Sequence, residues 1–406
     1  MKKNYKVIII GAGPAGLAAA RALKDAGVQD LLLIERESQA GGVPRHCQHP
    51  TFGLLTYFRP MKGNTWIKKI LQPVKEIPLR TDTTVISIRP GGFVDISSDN
   101  GLETLQAKRV IIATGVRETP RHARLISGLR PQGVLTAGAL QQFIYLRKLK
   151  PGNRSVIVGS ELVSFSALWT LYRAGIKPVA LVDEHPRPVA FRLSTLLAHL
   201  LRVPVHFNTR VSHICGSERV EGMDITDKHG KTLRLDCDSV IFTGKFVGEY
   251  TLILKSHLQH DKKTGRPLFD QHGCCSDRDF YAVGNMTHPA DMGDQCYQEG
   301  LQVGKAVALA LQEEQPTQTD NPVLPIEHQD IIRMSAPAVI RLGGEDKTTT
   351  LNIRVSRPVS GEVVVRDGQR ELYRRRHRCM PERRILLKNI NITHLTSDST
   401  LSISIE

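Results

Sequence analysis

Apolar residues in the first three quarters of the chain come in short unbroken runs, each closed by glycine or an acid. Val7-Ile8-Ile9-Ile10 is such a run, and it predicts a strand buried on both faces. Gly11-Ala12-Gly13-Pro14-Ala15-Gly16 follows, then a helical stretch over 17–26 that Gly27 ends. Leu31-Leu32-Leu33-Ile34 predicts a second strand, with Glu35 at its end. The order then recurs. Val156-Ile157-Val158-Gly159 matches the first strand and Gly11, Ala174-Gly175 matches Ala26-Gly27, and Asp183 matches Glu35. Both units close on a further apolar run, Val110-Ile111-Ile112-Ala113-Thr114-Gly115 and Val240-Ile241-Phe242-Thr243-Gly244. Two dinucleotide-binding-like units are therefore expected.

Beyond them, Phe280-Tyr281-Ala282-Val283 predicts a strand ending in Gly284-Asn285, and Gln298-Glu299-Gly300 leads a helix over 301–311. The polar stretch 312–321 reads as a linker. After it the pattern shifts to short runs and alternation, as in Leu351-Asn352-Ile353-Arg354-Val355 and Leu401-Ser402-Ile403-Ser404-Ile405, with Asp367-Gly368 as a hairpin turn signal. The expected fold class is α/β, two Rossmann-like domains with a small, mainly β C-terminal domain. The divisions read from the sequence are 1–118 and 247–312 for the first body, 119–246 for the second, 313–322 for the linker and 323–406 for the tail.

The two glycine turns differ in chemistry. In the first, glycines let backbone amides approach a pyrophosphate at a helix N-terminus, and Glu35 is placed to accept hydrogen bonds from a ribose. In the second, Glu161 and Ser164 replace the second and third glycines. A carboxylate there opposes a pyrophosphate by bulk and by charge, which leaves NAD(P) binding an open question.

Composition narrows the classes further. At 406 residues with 40% hydrophobic and 23% charged residues, the chain is an ordinary globular protein of two or three domains. No apolar run reaches the ~20 residues that span a bilayer. The lysines before Val7 imitate a signal peptide, but the run after them reads as the first strand. Seven scattered cysteines form no secreted disulfide framework, so a cytoplasmic setting is expected. The net charge of +15 favours an anionic ligand, an acidic partner or a peripheral membrane contact. With aromatics at 5% and no basic-aromatic platform, nucleic acid is not expected.

As a set, the first glycine motif, Glu35, Ala113-Thr114-Gly115, the second unit and the returning Gly284-Asn285 resemble the two-dinucleotide-fold flavoprotein superfamily of glutathione-reductase-like architecture. The resemblance implies FAD in the first unit. Gly11, Gly13, Pro14, Ala15 and Gly16 would surround its pyrophosphate and Glu35 its ribose, with Arg36 and Gly42 alongside. Thr114, Gly115, Gly284 and Asn285 would approach the rest of the cofactor; relatives often carry Asp where Asn285 stands. Gly41-Gly42-Val43-Pro44-Arg45-His46 and Gly115-Val116-Arg117-Glu118-Thr119-Pro120-Arg121 look like the group containing hydrogen cyanide synthase B, opine oxidase A and the α subunits of dye-linked proline dehydrogenases. That similarity implies a heteromeric enzyme oxidising an amine or amino acid, with a second oxidoreductase subunit or another electron acceptor as partner. Several of those relatives carry a cysteine-rich iron–sulfur segment; this tail has Cys379 alone, too few thiolates for a cluster.

Arg45, His46, His49 and His288 are the candidate catalytic residues, a histidine as base or hydrogen-bond partner and Arg45 for a substrate carboxylate. Two other functions stay open at this point: an NAD(P)H-dependent electron-transfer reductase, and a non-catalytic nucleotide-binding scaffold. No pair of cysteines has the spacing of a redox dithiol, and Cys274-Cys275 are vicinal. Cys47, among Arg45, His46 and His49, is either an incidental buried thiol or one activated by cationic neighbours. No metal is expected, since His46, Cys47 and His49 lack a fourth ligand. Between 366 and 388 nine basic residues face three acidic ones, a solvated face or a docking surface. On the docking reading, deletion of 323–406 in a core that still folds leaves FAD bound but removes a partner subunit or slows electron delivery to it.

Overall fold

The computed structural model describes residues 3–312, 322–344, 346–381 and 383–406. Positions 313–321 of the expected linker lie outside them.

The apolar runs become the central strands of two parallel sheets. In the first, Asn4–Ile10 lies between Leu31–Ile34 and Gly101–Ile112, in parallel register with both, and Leu79–Arg80 extends the edge. Gly101–Ile112 is long enough to serve two neighbours on its other side. Its beginning pairs antiparallel with Phe93–Ser98, and its end pairs parallel with the returning strand Phe280–Ala282. The chain thus leaves the first sheet, builds a second body and comes back. In the second sheet all strands are parallel, with Arg154–Val158 between Lys177–Val182 and Ser239–Phe242. The antiparallel pair Val116–Glu118 and Phe246–Gly248 carries the chain out and back.

The repeat holds down to single hydrogen bonds. Gly11 N–H donates to the Ile34 carbonyl (2.8 Å) and Ala113 N–H to that of Ile10 (2.8 Å); Gly159 and Thr243 donate likewise to Val182 (2.8 Å) and Val158 (2.9 Å). Both turns therefore sit where strand order reverses, the usual crevice for a ligand in an open parallel sheet.

The returning helix, Gly293–Gln312, is longer than its predicted core and packs along the first helix, Pro14–Asp25. Gly300 and Gly304 explain the close approach, because a Cβ at either would collide with the backbone of Ala15 or Ala19. No helix among the described residues is long and apolar enough to cross a membrane.

The tail is β-rich, as expected. Val323–His328, Leu401–Ile405, Val359–Asp367 and Arg370–Cys379 form one sheet with Val339–Arg341, and Ile332–Ala336, Thr348–Val355 and Ile385–Asn391 form another. They enclose a core that includes Leu324, Ile353, Val363, Leu387 and Ile403. The tail also packs onto the first sheet. Met334 and Ala336 belong to the same apolar cluster as Ile8, Ile10, Ile112 and Phe280. The buried Arg266 guanidinium donates to the Ser335 carbonyl, and Arg341 pairs with Asp270 (2.6 Å). Deleting 323–406 would strip apolar cover from beneath the first sheet, at about 1.5–3 kcal/mol for a side chain of methionine size. Four of the nine basic residues are tied within the chain: Arg366 to Glu406, Arg374 to Glu362, Arg383 to the Ala190 carbonyl and Arg384 to Glu299.

Candidate functional site

At the first turn each glycine has its own cause. A Cβ on Gly11 would press on the Ala113 carbonyl, and one on Gly16 would collide with the Gly11 carbonyl; these two close the strand–helix junction. Gly13 differs. An added Cβ there meets nothing within 4 Å, and neither does one on Gly115. The backbone at Gly13 is thus bare toward open space, at the start of a helix with Pro14 in its first turn, no side-chain cap and no acid. Unsatisfied amides and the helix dipole make such a place favourable for a phosphate.

Glu35 is buried at the end of its strand. Its carboxylate accepts the N–H of Ala12 (2.9 Å) and of Glu37 (3.0 Å), which fixes it beside the turn with lone pairs to spare. Arg36 next to it is exposed. Gly41 N–H donates to the Ala12 carbonyl (2.8 Å), and Gly42 lies against Gly13, so the 41–46 segment forms a wall of the cradle. Gly284 closes another side. It abuts Ala15, and a Cβ there would overlap that of Ala15. Gly11, Gly13, Pro14, Ala15, Gly16, Glu35, Gly42, Thr114, Gly115 and Gly284 are therefore brought together. Bare backbone beside a fixed carboxylate suits the pyrophosphate and ribose of a dinucleotide.

Two expected contacts are turned elsewhere. Asn285 accepts the Asp291 N–H (2.8 Å) and donates to the Asp291 carbonyl (3.1 Å), so its amide closes its own loop. The Thr114 hydroxyl donates to the Glu249 carbonyl (2.9 Å), tying the closing strand to the inter-unit ribbon.

The four catalytic candidates part company. Arg45 donates to the Gln39 carbonyl (2.9 Å) and lies 3.4 Å from Glu37, so its charge is already answered. His46 is buried with neither ring nitrogen hydrogen-bonded, and burial, aided by the Arg45 charge, lowers its pKa to about 4. His49 also falls to about 4 through burial; it meets the Thr51 hydroxyl (2.8 Å) and stacks on Phe52. His288 lies in a buried cluster with Asp291 and Glu299 whose ligand atoms are within 4.8 Å of one another. Among the described residues this is the grouping with metal-like spacing, but Arg354 and Arg384 already bring cationic charge to its carboxylates.

Cys47 is no activated thiol. It is buried against the Val43 carbonyl and Gln141, and burial pushes its pKa up to about 12. All seven cysteines are free, and Cys274 and Cys275 are likewise raised by burial. Sequence reasoning did not connect Arg354 and Arg384 to this site: Arg354 stands in alternating β sequence, and Arg384 reads only as part of the basic run between 366 and 388.

The second turn keeps the backbone and loses the opening. The Glu161 carboxylate lies over Gly244 and accepts from the Thr243 (3.0 Å) and Ser164 (3.1 Å) hydroxyls. Burial raises its pKa, and Asp183 adds to the effect. Asp183 is itself engaged by His185 through N–H (2.8 Å) and ring (2.7 Å).

A family model described as "Pyridine nucleotide-disulphide oxidoreductase" matches residues 5–310. The chain belongs to this family. Its members are FAD-dependent oxidoreductases, often with NAD(P) as a second cofactor. Among curated proteins it is 25% identical over 321 residues to the A subunit of Rhizobium meliloti opine oxidase, an alignment covering 70% of this chain and 59% of the relative. The chain thus matches under two thirds of that protein's length. Among solved structures it is similar to T. acidophilum thioredoxin reductase, with a TM-score of 0.62 and 21% identity over 76% of this chain and 98% of the other. L-proline dehydrogenase from P. horikoshii gives a TM-score of 0.56 and 20% identity over 77% and 57%. Both structures speak to the fold alone. The seven cysteines of this pyridine nucleotide-disulphide oxidoreductase include no C-x-x-C or C-x-x-x-x-C pair.

Proposed function

We propose that the chain binds FAD in the first cradle and serves as the flavin subunit of a dehydrogenase that oxidises a small amine or amino acid and passes electrons to a partner. The observation that carries this reading is the open backbone at Gly13 beside the fixed Glu35, set against a second turn filled by Glu161. Gly13, Ala15 and Gly16 would hold the pyrophosphate and Glu35 the ribose, in a body made of 1–118 and 247–312. When bound, the flavin supplies the hydride and electron chemistry. The chain's own part is to shield and orient. His46, buried and neutral at pH 7, is an acceptor that needs no deprotonation, and we assign it to contact with substrate or flavin. Arg45 is held by Gln39 and Glu37 and is assigned to stiffening the 42–46 wall. Similarity to a protein named as part of an opine oxidase supports both the amine-type substrate and the partner. The free thiols support a reducing, cytoplasmic setting.

Anaerobic mixing of the FAD-loaded protein, with copurifying partner, against a panel of amines, amino acids and hydroxy acids tests this. Bleaching of the flavin by an amine or amino acid is the expected result. Bleaching by NADH alone would replace the reading with an NAD(P)H-driven reductase.

A further inference from the structure

We propose that the C-terminal β domain is a working part of the flavin site, with Arg354 and Arg384 as positioning residues that hold the Gly284–Asn285 loop against the cradle. The inference rests on the FAD reading above and goes beyond it, because the domain lies after the residues that the family model covers.

The connection runs through four short links. Arg354, on the strand Thr348–Val355, reaches out of the β domain and pairs with Asp291, both side chains being almost fully buried. Arg384 spans Asp291 (3.4 Å) and Glu299 (2.7 Å), joining the loop to the returning helix. Asp291 is the residue whose backbone N–H and carbonyl Asn285 grips. Gly284, one position earlier, abuts Ala15 at the bare helix start, and Gly300, one position after Glu299, packs on the Ala15 carbonyl. A shift of either guanidinium therefore moves a wall of the cradle.

The chemistry of the seam argues for positioning over bulk stability. Burying guanidinium–carboxylate pairs costs desolvation that a well-packed apolar seam would avoid, while removing one partner strands a charge. Arg354 Nε and Nη1 and Arg384 Nε are buried with no hydrogen-bond partner, so these cations depend on Asp291 and Glu299. What such a cluster provides is a single geometry: two planar donors, directed at two carboxylates, admit few alternative placements of the loop. An apolar contact would hold the domains together with less control of where residue 285 sits.

The test compares wild type with Arg354→Met, Arg354→Lys and Arg384→Met in the full chain. FAD dissociation constants come from titration of the apoprotein, and the visible flavin spectrum and midpoint potential from the loaded protein. Circular dichroism and apoprotein melting report the fold. R354M is expected to weaken FAD binding at least tenfold and to shift the potential, R384M to act in the same direction by less, and R354K to recover part of both. Should R354M fail to fold, R384M, on the more accessible of the two arginines, decides by the same readouts. A folded variant with wild-type affinity, spectrum and potential would overturn the positioning role. Wild type that binds no FAD would instead sink the reading on which it rests, so the two failures are distinguishable.

Discussion

The two turns share one backbone plan, and one is left open while the other is filled. In each, the residue after the first strand donates to the strand beside it, and the closing strand donates back. What separates them is the residue at the turn's centre. Gly13 leaves space; Glu161 fills it with a carboxylate anchored by Thr243 and Ser164. The strand–helix junction can therefore be kept for folding while the space at the turn is filled, because the two rest on different positions. Gly11 answers to Ala113 in one unit and Gly159 to Thr243 in the other, whereas a Cβ on Gly13 would meet nothing of the protein within 4 Å.

Exchanging the central residues puts this difference to work. Gly13→Glu should abolish FAD retention, with affinity down at least 1000-fold (about 4 kcal/mol), as read by flavin absorbance that stays with the purified protein. Full occupancy in that variant would end the assignment. Acid should act on the two turns with opposite sign. Burial depresses His46 beside the first turn to about 4, so the unfolded chain takes up its proton first as pH falls. His46 alone should then take away roughly 3 kcal/mol of stability between about pH 6.5 and 4, with His49 adding to the fall, and His46→Phe should make that limb shallower in chemical denaturation at stepped pH. Glu161, raised by burial, loses stability as pH climbs above the ordinary carboxyl value and through its own. Glu161→Gln should accordingly stabilise the protein at neutral pH and lose its advantage in acid. Glu161→Gly is the reverse of the first exchange and should tighten NADH binding roughly tenfold, about 1.4 kcal/mol, by fluorescence titration. Wild type that already binds NADH as tightly as this variant would erase the contrast. Smallest of all, Cys47→Ala should leave substrate-driven flavin reduction unchanged, since the thiol is buried and protonated.

The parts of this fold that are readable from sequence are those where one residue type meets one local demand. Buried parallel strands require runs such as Val7-Ile8-Ile9-Ile10, and the tight junction requires glycine at 11 and 16. The returning helix exceeds its expected length because Gly293 and Gly300 read as breakers; Gly300 is there to let two helices touch. The strand Arg370–Cys379 is hidden in the sequence because its arginines occupy both faces and erase alternation. Asn285 and His288 announce themselves along the chain, yet their partners Asp291 and Glu299 are in turn held by the distant Arg354 and Arg384. Side-chain roles set by such long-range neighbours leave no periodic trace.

The glycine-lined contact between the first and returning helices also sets a timetable for synthesis. The alanine face of Pro14–Asp25, with Ala15, Ala18 and Ala19, has no cover until Gly293–Gln312 emerges, some 270 residues later. At bacterial-to-eukaryotic elongation rates of about 5–20 residues per second, the nascent first sheet waits roughly 15–55 s for its last helix and strand. Over that interval the second body, continuous in sequence, is free to complete itself while the first remains open. A ribosome paused before residue 280 should therefore display a protease-resistant second body and a protease-sensitive N-terminal segment, which makes the newborn chain a candidate client for chaperones at its N-terminal end.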